Sequence, residues 1–109
     1  MRLPLDIQPF ADRDLTDIAD HIASDNIDAA IRFLTATRKS MEFLTTTPGA
    51  GPLYPTKNRR LAGLRKWSVD GFRHYLIFYQ VLNDTIQILR VIHAARDIPV
   101  LLETTTDEM

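Results

Sequence analysis

The 109-residue sequence predicts an α+β fold: an N-terminal edge strand, then an antiparallel helical hairpin packed on one face of a small antiparallel β-sheet. Three observations predict it. Between Phe10 and Leu44 apolar residues recur at helical spacing, interrupted once at Ser24-Asp25-Asn26. A Thr/Pro/Gly run from Thr45 to Pro52 then stops the helical pattern. Beyond it, Leu61 to Asp97 reads as three strands joined by tight turns at Asp70-Gly71 and Asn83-Asp84, the first the stronger hairpin signal.

The elements follow in order. Leu3, Leu5 and Ile7 alternate with Arg2, Pro4, Asp6 and Gln8, a short strand that Pro4 confines to a sheet edge and Pro9 ends. From Phe10 to Ala23, Leu15, Ile18, Ala19 and Ile22 form one helical stripe. Asp12, Asp14 and Asp17 lie in its first turns, where the helix dipole favours acids. Ser24-Asp25-Asn26 breaks this helix and caps the next. From Ile27 to Leu44 the apolar side is Ile27, Ala30, Phe33, Leu34, Met41 and Leu44, with Arg32, Arg38 and Lys39 opposite. So short a break implies an antiparallel hairpin. The segment to Arg60 reads as a surface loop with a basic cluster at Lys57, Arg59 and Arg60, and residues 103–109 read as a frayed tail.

Two-residue turns fix a strand register. Val69 then faces Phe72 and Trp67 faces His74, while Leu82 faces Thr85, Phe78 faces Leu89, Leu76 faces Val91 and His74 faces His93. One sheet face collects Trp67, Val69, Phe72, His74, Leu76, Phe78, Leu89, Val91 and His93. The other collects Leu64, Lys66, Arg73, Tyr75, Ile77, Tyr79, Ile86, Ile88, Arg90 and Ile92. Strand 72–82 is apolar on both faces and therefore central. The helical hairpin covers one face, which leaves the second to loop and tail or to a partner.

Composition narrows the function classes. The chain reads as one domain, 1–109, with no cysteine, hence no disulfide framework, thiolate metal site or thiol nucleophile. No apolar run approaches the ~18 residues of a spanning helix, and the reading is a soluble cytoplasmic protein with no membrane contact. The net charge of −1 conceals an asymmetry: residues 1–28 carry seven Asp against Arg2 and Arg13, whereas residues 57–97 carry eight Lys/Arg against three Asp. An acidic face and a basic face are expected.

There is no Gly-rich phosphate loop, no metal-ligand spacing and no triad, so no cofactor or metal is expected. His21 reads as a helix-surface residue, and His74 with His93 as a packed cross-strand pair beside Trp67. Arg65, Arg73, Arg90 and Arg96 are more informative, because an arginine on a half-buried strand must find a partner for its charge. For Arg90 two options stay open: an internal carboxylate such as Asp97, or an external anion such as phosphate.

The motifs in sequence resemble a known family. They are DLxxIAxxIAxDN at Asp14 to Asn26, AAxRF at Ala29 to Phe33, TPGxG at Thr47 to Gly51, GLRxWxVxGFRxYLIFY at Gly63 to Tyr79, and ILRVIHAARDI at Ile88 to Ile98. Together they resemble the ParE branch of the RelE/ParE toxin superfamily, over nearly the whole chain to about Leu102. The resemblance implies an α+β toxin of a type II toxin–antitoxin pair, neutralised by a cognate antitoxin. It also implies a target: RelE-like members cut mRNA on the ribosome, whereas ParE-like members poison DNA gyrase.

The chain departs from the ribonuclease pattern. It reads Tyr75-Leu76-Ile77 where RelE-like chains tend to have an arginine after the tyrosine, no Tyr follows Tyr79, and no Lys, Arg or His follows Asp97. The expectation is therefore a gyrase-inhibiting toxin with no catalytic residues. Its target and partner contacts would be Arg65, Lys66, Arg73, Tyr75, Arg90, His93 and Arg96, with DNA touched only through antitoxin or gyrase. The alternative is a ribosome-dependent mRNA endonuclease using Arg65, Arg73, Arg90 and His93. A third reading is a relic that only binds its antitoxin.

Overall fold

β1 (Leu5–Ile7) is short because prolines bracket it, and Pro9 opens α1 (Pro9–Ala23) at a position where a missing N–H costs nothing. The computed structural model describes residues 1–109. α2 (Ile27–Thr46) follows, then a 3₁₀ turn (Arg59–Leu61), β2 (Arg65–Val69), β3 (Phe72–Leu82), β4 (Thr85–His93) and α3 (Ile98–Asp107). Asn26 caps α2 as expected, its side chain accepting from the Ala29 N–H at 3.0 Å.

The four strands form one sheet in the order β1-β4-β3-β2, with β3 and β4 central. The sheet is mixed, not purely antiparallel: β1 runs parallel to β4, with Leu5 opposite Ile86 and Ile7 opposite Ile88. The helical hairpin explains this. It returns the chain to the end of the sheet where β1 began, so that the Leu3 N–H bonds the Thr45 carbonyl at 2.9 Å. The next strand then runs in the same sense as β1.

The register departs from simple turn geometry in both hairpins. Val69 does face Phe72, but a bulge after Ser68 brings Trp67 opposite Ile77 rather than His74. Leu82 does face Thr85, yet a second bulge shifts the pairing so that Phe78 meets Arg90, Leu76 meets Ile92 and Tyr75 meets His93. One extra residue reverses every later side chain. Val91 consequently joins Ile77 and Tyr79 on the helix side, while Phe78, Leu89 and Ile92 pack on the other. The turns also exchange roles. Asn83 and Asp84 both adopt positive φ, 52° and 56°, the signature of a type I′ turn, whereas at Asp70-Gly71 only the glycine does.

Each face of the sheet has its own core. On one side α1 and α2 cover Val69, Ile77, Tyr79, Ile86, Ile88 and Val91 with Ala11, Phe33, Met41 and Leu44. Ile27 and Leu34 do not belong to that stripe: they are 68% and 43% exposed, because the buried line of α2 runs through Ala30, Phe33, Thr37, Met41 and Leu44. On the other side Leu61, Leu64, Phe78, Leu89, Ile92 and Leu102 form a second cluster.

Residues 103–107 are not a frayed tail but the second half of α3. Asp97 caps α3, Pro99 sits in its first turn, and Leu102, Thr105 and Thr106 are buried. Its run of threonines is a poor helix former, but Thr104 and Thr105 return their hydroxyls to the Val100 and Leu101 carbonyls at 3.0 and 2.7 Å. What holds the helix is burial of Leu102, with Ile98 and Leu101 packed alongside, over the face the hairpin cannot reach.

Candidate functional site

The expected contact residues divide into three groups. Arg90 is spoken for internally. It is 9% exposed, and its Nε and Nη2 donate to Asp14 of α1 at 2.7 and 2.9 Å. Its Nη1 donates to the Thr105 hydroxyl at 3.0 Å and the Leu101 carbonyl at 3.3 Å in α3. Its carboxylate partner is thus Asp14, not Asp97, whose side chain caps α3. Asp14 also accepts from the Val91 N–H at 2.9 Å. β1 ends at Ile7, so the edge of β4 beyond Ile88 lacks a neighbouring strand, and this carboxylate satisfies a donor there. The Phe10 ring lies 5.2 Å from the same guanidinium.

Arg65 and Lys66 stand at the opposite end of the sheet from Arg73. Arg65 donates to the Gly51 carbonyl at 2.7 Å, and so holds the loop between α2 and β2. Tyr79 holds it too: its hydroxyl donates to the Pro48 carbonyl at 2.7 Å and accepts from the Gly51 N–H at 3.0 Å. A Cβ on Gly51 would lie 2.5 Å from the Lys66 carbonyl and 2.8 Å from the Tyr79 hydroxyl, so this glycine is required by close approach. Burial raises the Tyr79 pKa above the ordinary tyrosine value, against the opposing pull of the Gly51 N–H and the nearby Arg65 charge. Lys66 borders a cleft with Pro52, Trp67, Ser68 and Leu76.

Arg73, Tyr75 and His93 do come together. With His74, Asp70 and Gly71 they line a cavity of about 470 Å³ at the end of β3 and β4. Tyr75 is half-buried, its ring edge-on to Phe33 at 5.0 Å and to His93 at 5.0 Å. The His74 and His93 rings stack at 5.9 Å, although the ladder pairs His93 with Tyr75. Trp67 is absent from this group and stacks instead on Phe43 at 5.5 Å. Arg96 is exposed in the turn after β4, its backbone N–H bonded to the His93 carbonyl at 2.9 Å.

A larger groove, about 660 Å³, lies between α2 and the edge strand β2. Ile31, Phe43 and Trp67 supply its apolar surface, and its charge is Arg32, Lys39 and Arg73 against the single carboxylate of Asp70. Ile31 is 57% and Phe43 44% exposed, an unusual cost for a helix whose buried line lies elsewhere. Of these residues only Arg73 was an expected contact. The available signal was that Ile31 and Phe43 are large apolar residues lying off the core stripe of α2. No group of three or more His, Cys, Asp or Glu stands close enough to hold a metal ion, and no helix is long and apolar enough to cross a membrane.

The family model for the ParE toxin of the parDE type II toxin–antitoxin system matches residues 5–98. The chain belongs to the ParE toxin family. Among solved structures, this ParE-family chain is similar to one described as a chromosomal ParDE toxin–antitoxin system from P. aeruginosa, with a TM-score of 0.68 and 20% identity over 84% of this chain and 96% of that one. It is also similar to a chain of the RelBE2 toxin–antitoxin complex from Mycobacterium tuberculosis, with a TM-score of 0.54 and 22% identity over 85% of this chain and 99% of that one. At such identities the two structures establish a shared α+β fold. No curated protein matches the ParE-family chain in sequence.

Proposed function

We propose that this ParE-family toxin inhibits DNA gyrase in the cytoplasm, halts replication and growth, and is held inactive by a cognate antitoxin. The observation that carries the choice of target is the dispersal of the ribonuclease set. Of Arg65, Arg73, Arg90 and His93, Arg90 is neutralised by Asp14 and Arg65 is tied to a loop carbonyl. Only Arg73 and His93 share a cavity. Cleavage of RNA through its 2′-hydroxyl needs a base, an acid and a cation converging on one phosphate. Leu76 packs into the apolar cluster under α3, where the ribonuclease pattern would have an arginine. Purified toxin should inhibit gyrase supercoiling and accumulate cleaved DNA. Cut sites in translated mRNA, mapped by primer extension and lost in His93→Ala, would favour the ribonuclease instead.

The groove between α2 and β2 is the surface that best fits the antitoxin. Its apolar floor and basic rim suit an amphipathic segment carrying Asp or Glu, folding on the toxin as it docks. Charge complementarity of this kind mainly speeds association and selects the partner.

A further inference from the structure

The cavity at the end of β3 and β4 has an electrostatic property that packing does not require. His93 is held in one orientation. Its Nδ1 accepts from the Ala95 N–H at 3.0 Å, and its ring meets the Tyr75 ring edge-on at 5.0 Å. With Nδ1 engaged, the neutral imidazole carries its proton on Nε2 and is a donor there. His74 lies face to face with it, 5.9 Å away and 19° from parallel. Arg73 lines the same cavity and belongs to none of the ion pairs of the chain, which are Arg2–Glu42, Arg38–Glu42 and Arg90–Asp14.

The cavity thus gathers two stacked imidazoles and a guanidinium that belongs to no ion pair. The one carboxylate in the lining is Asp70, in the turn before β3. The other charged or titratable neighbours are Tyr75 on β3, Arg32 from α2, which shares the adjoining groove with Asp70 and Arg73, and Arg96 in the turn bonded to His93. The balance around the cavity is positive. An oxyanion with several acceptor oxygens suits a lining that offers a guanidinium fork and imidazole N–H donors.

We propose that this cavity binds a phosphate-type oxyanion, with Arg73, His74 and His93 as its donors. Free phosphate and the phosphodiester of DNA share that chemistry. The site is independent of which macromolecule the toxin inhibits, so failure of gyrase inhibition would leave it standing.

The test is a titration of the full-length toxin, in phosphate-free buffer, with inorganic phosphate and separately with a short DNA duplex. Imidazole resonances are followed by NMR at constant pH. His74 and His93 should shift together while His21, on the surface of α1, stays put. Arg73→Gln should weaken binding by about tenfold or more, as loss of a charge-assisted contact does. Arg73 and His74 are exposed, so Arg73→Gln and His74→Gln both leave the core intact. A shift caused by either ligand and abolished by these substitutions supports the site, and the ligand that causes it identifies the source. No shift with either, or a shift that survives both substitutions, overturns the proposal.

Discussion

Removing the Asp14 carboxylate should unfold this protein more readily than any surface substitution. Asp14 accepts from Arg90 Nε, Arg90 Nη2 and the Val91 N–H at 2.7 to 2.9 Å, and the two side chains of the pair are only 14% and 11% exposed. Asp14→Ala leaves a buried guanidinium with only Thr105 and Leu101 for partners and strips the β4 edge of its acceptor. Breaking a buried pair from one side costs about 3–5 kcal/mol. With a urea m-value of about 2 kcal/mol/M, the denaturation midpoint should fall by about 2 M. The double variant Asp14→Leu/Arg90→Met removes both charges and leaves mainly the orphaned Val91 N–H, a cost of about 1–3 kcal/mol. It should therefore be more stable than Asp14→Ala, and a cycle with the singles Asp14→Leu and Arg90→Met should give a coupling of about 2 kcal/mol or more. A single-variant cost below about 1 kcal/mol, or costs that simply add, would refute the reasoning. The double variant also bears on function, because it should still inhibit gyrase if Arg90 is only structural.

Three further outcomes are expected. Tyr79→Phe removes the hydroxyl shared by Pro48 and Gly51 and should cost about 1–3 kcal/mol in chemical denaturation. The raised Tyr79 pKa favours the protonated native state, so its contribution is full below about pH 10 and is lost as pH rises through the higher folded value. The alkaline loss of stability should accordingly be smaller in Tyr79→Phe than in wild type. Leu102→Ala should cost about 2–4 kcal/mol, because Leu102 is 2% exposed on the inner side of α3, whereas a frayed terminus would show almost none. Phe43→Ala should weaken antitoxin binding by about tenfold in calorimetry with little change in folding stability, since Phe43 lies on the groove rather than in the core.

The parts legible in the sequence are those governed by local rules. Asn26 announces a cap, Leu15, Ile18 and Ile22 announce a face, and the doubly apolar strand 72–82 announces a centre. The bulges after Ser68 and after Phe78 were not legible. Because the middle of β3 is apolar on both faces, sliding its partners by one or three residues still sets them against apolar residues, and alternation in β3 carries no trace of the slip. α3 was hidden because Thr104-Thr105-Thr106 reads as polar coil, while its stability comes from covering Phe78, Leu89 and Ile92, which are distant in the sequence. Arg90 stood out as needing a partner, but Asp14 lies 76 residues away and had a sufficient local explanation as a helix-dipole acid. At the site, Arg73, Tyr75 and His93 do share one cavity. The groove floor of Ile31, Phe43 and Trp67 was missed because α2 was read as having one apolar side, when it has a buried line and exposed apolar residues beside it.

The proposed action on gyrase rather than on RNA can be tested directly. The most direct measurement is a gyrase supercoiling assay with the purified toxin, repeated after adding the cognate antitoxin. Inhibition with accumulation of cleaved DNA is expected, reversed by the antitoxin and unchanged in Asp14→Leu/Arg90→Met. Full supercoiling at every toxin concentration, from a preparation that cuts translated mRNA, would contradict it.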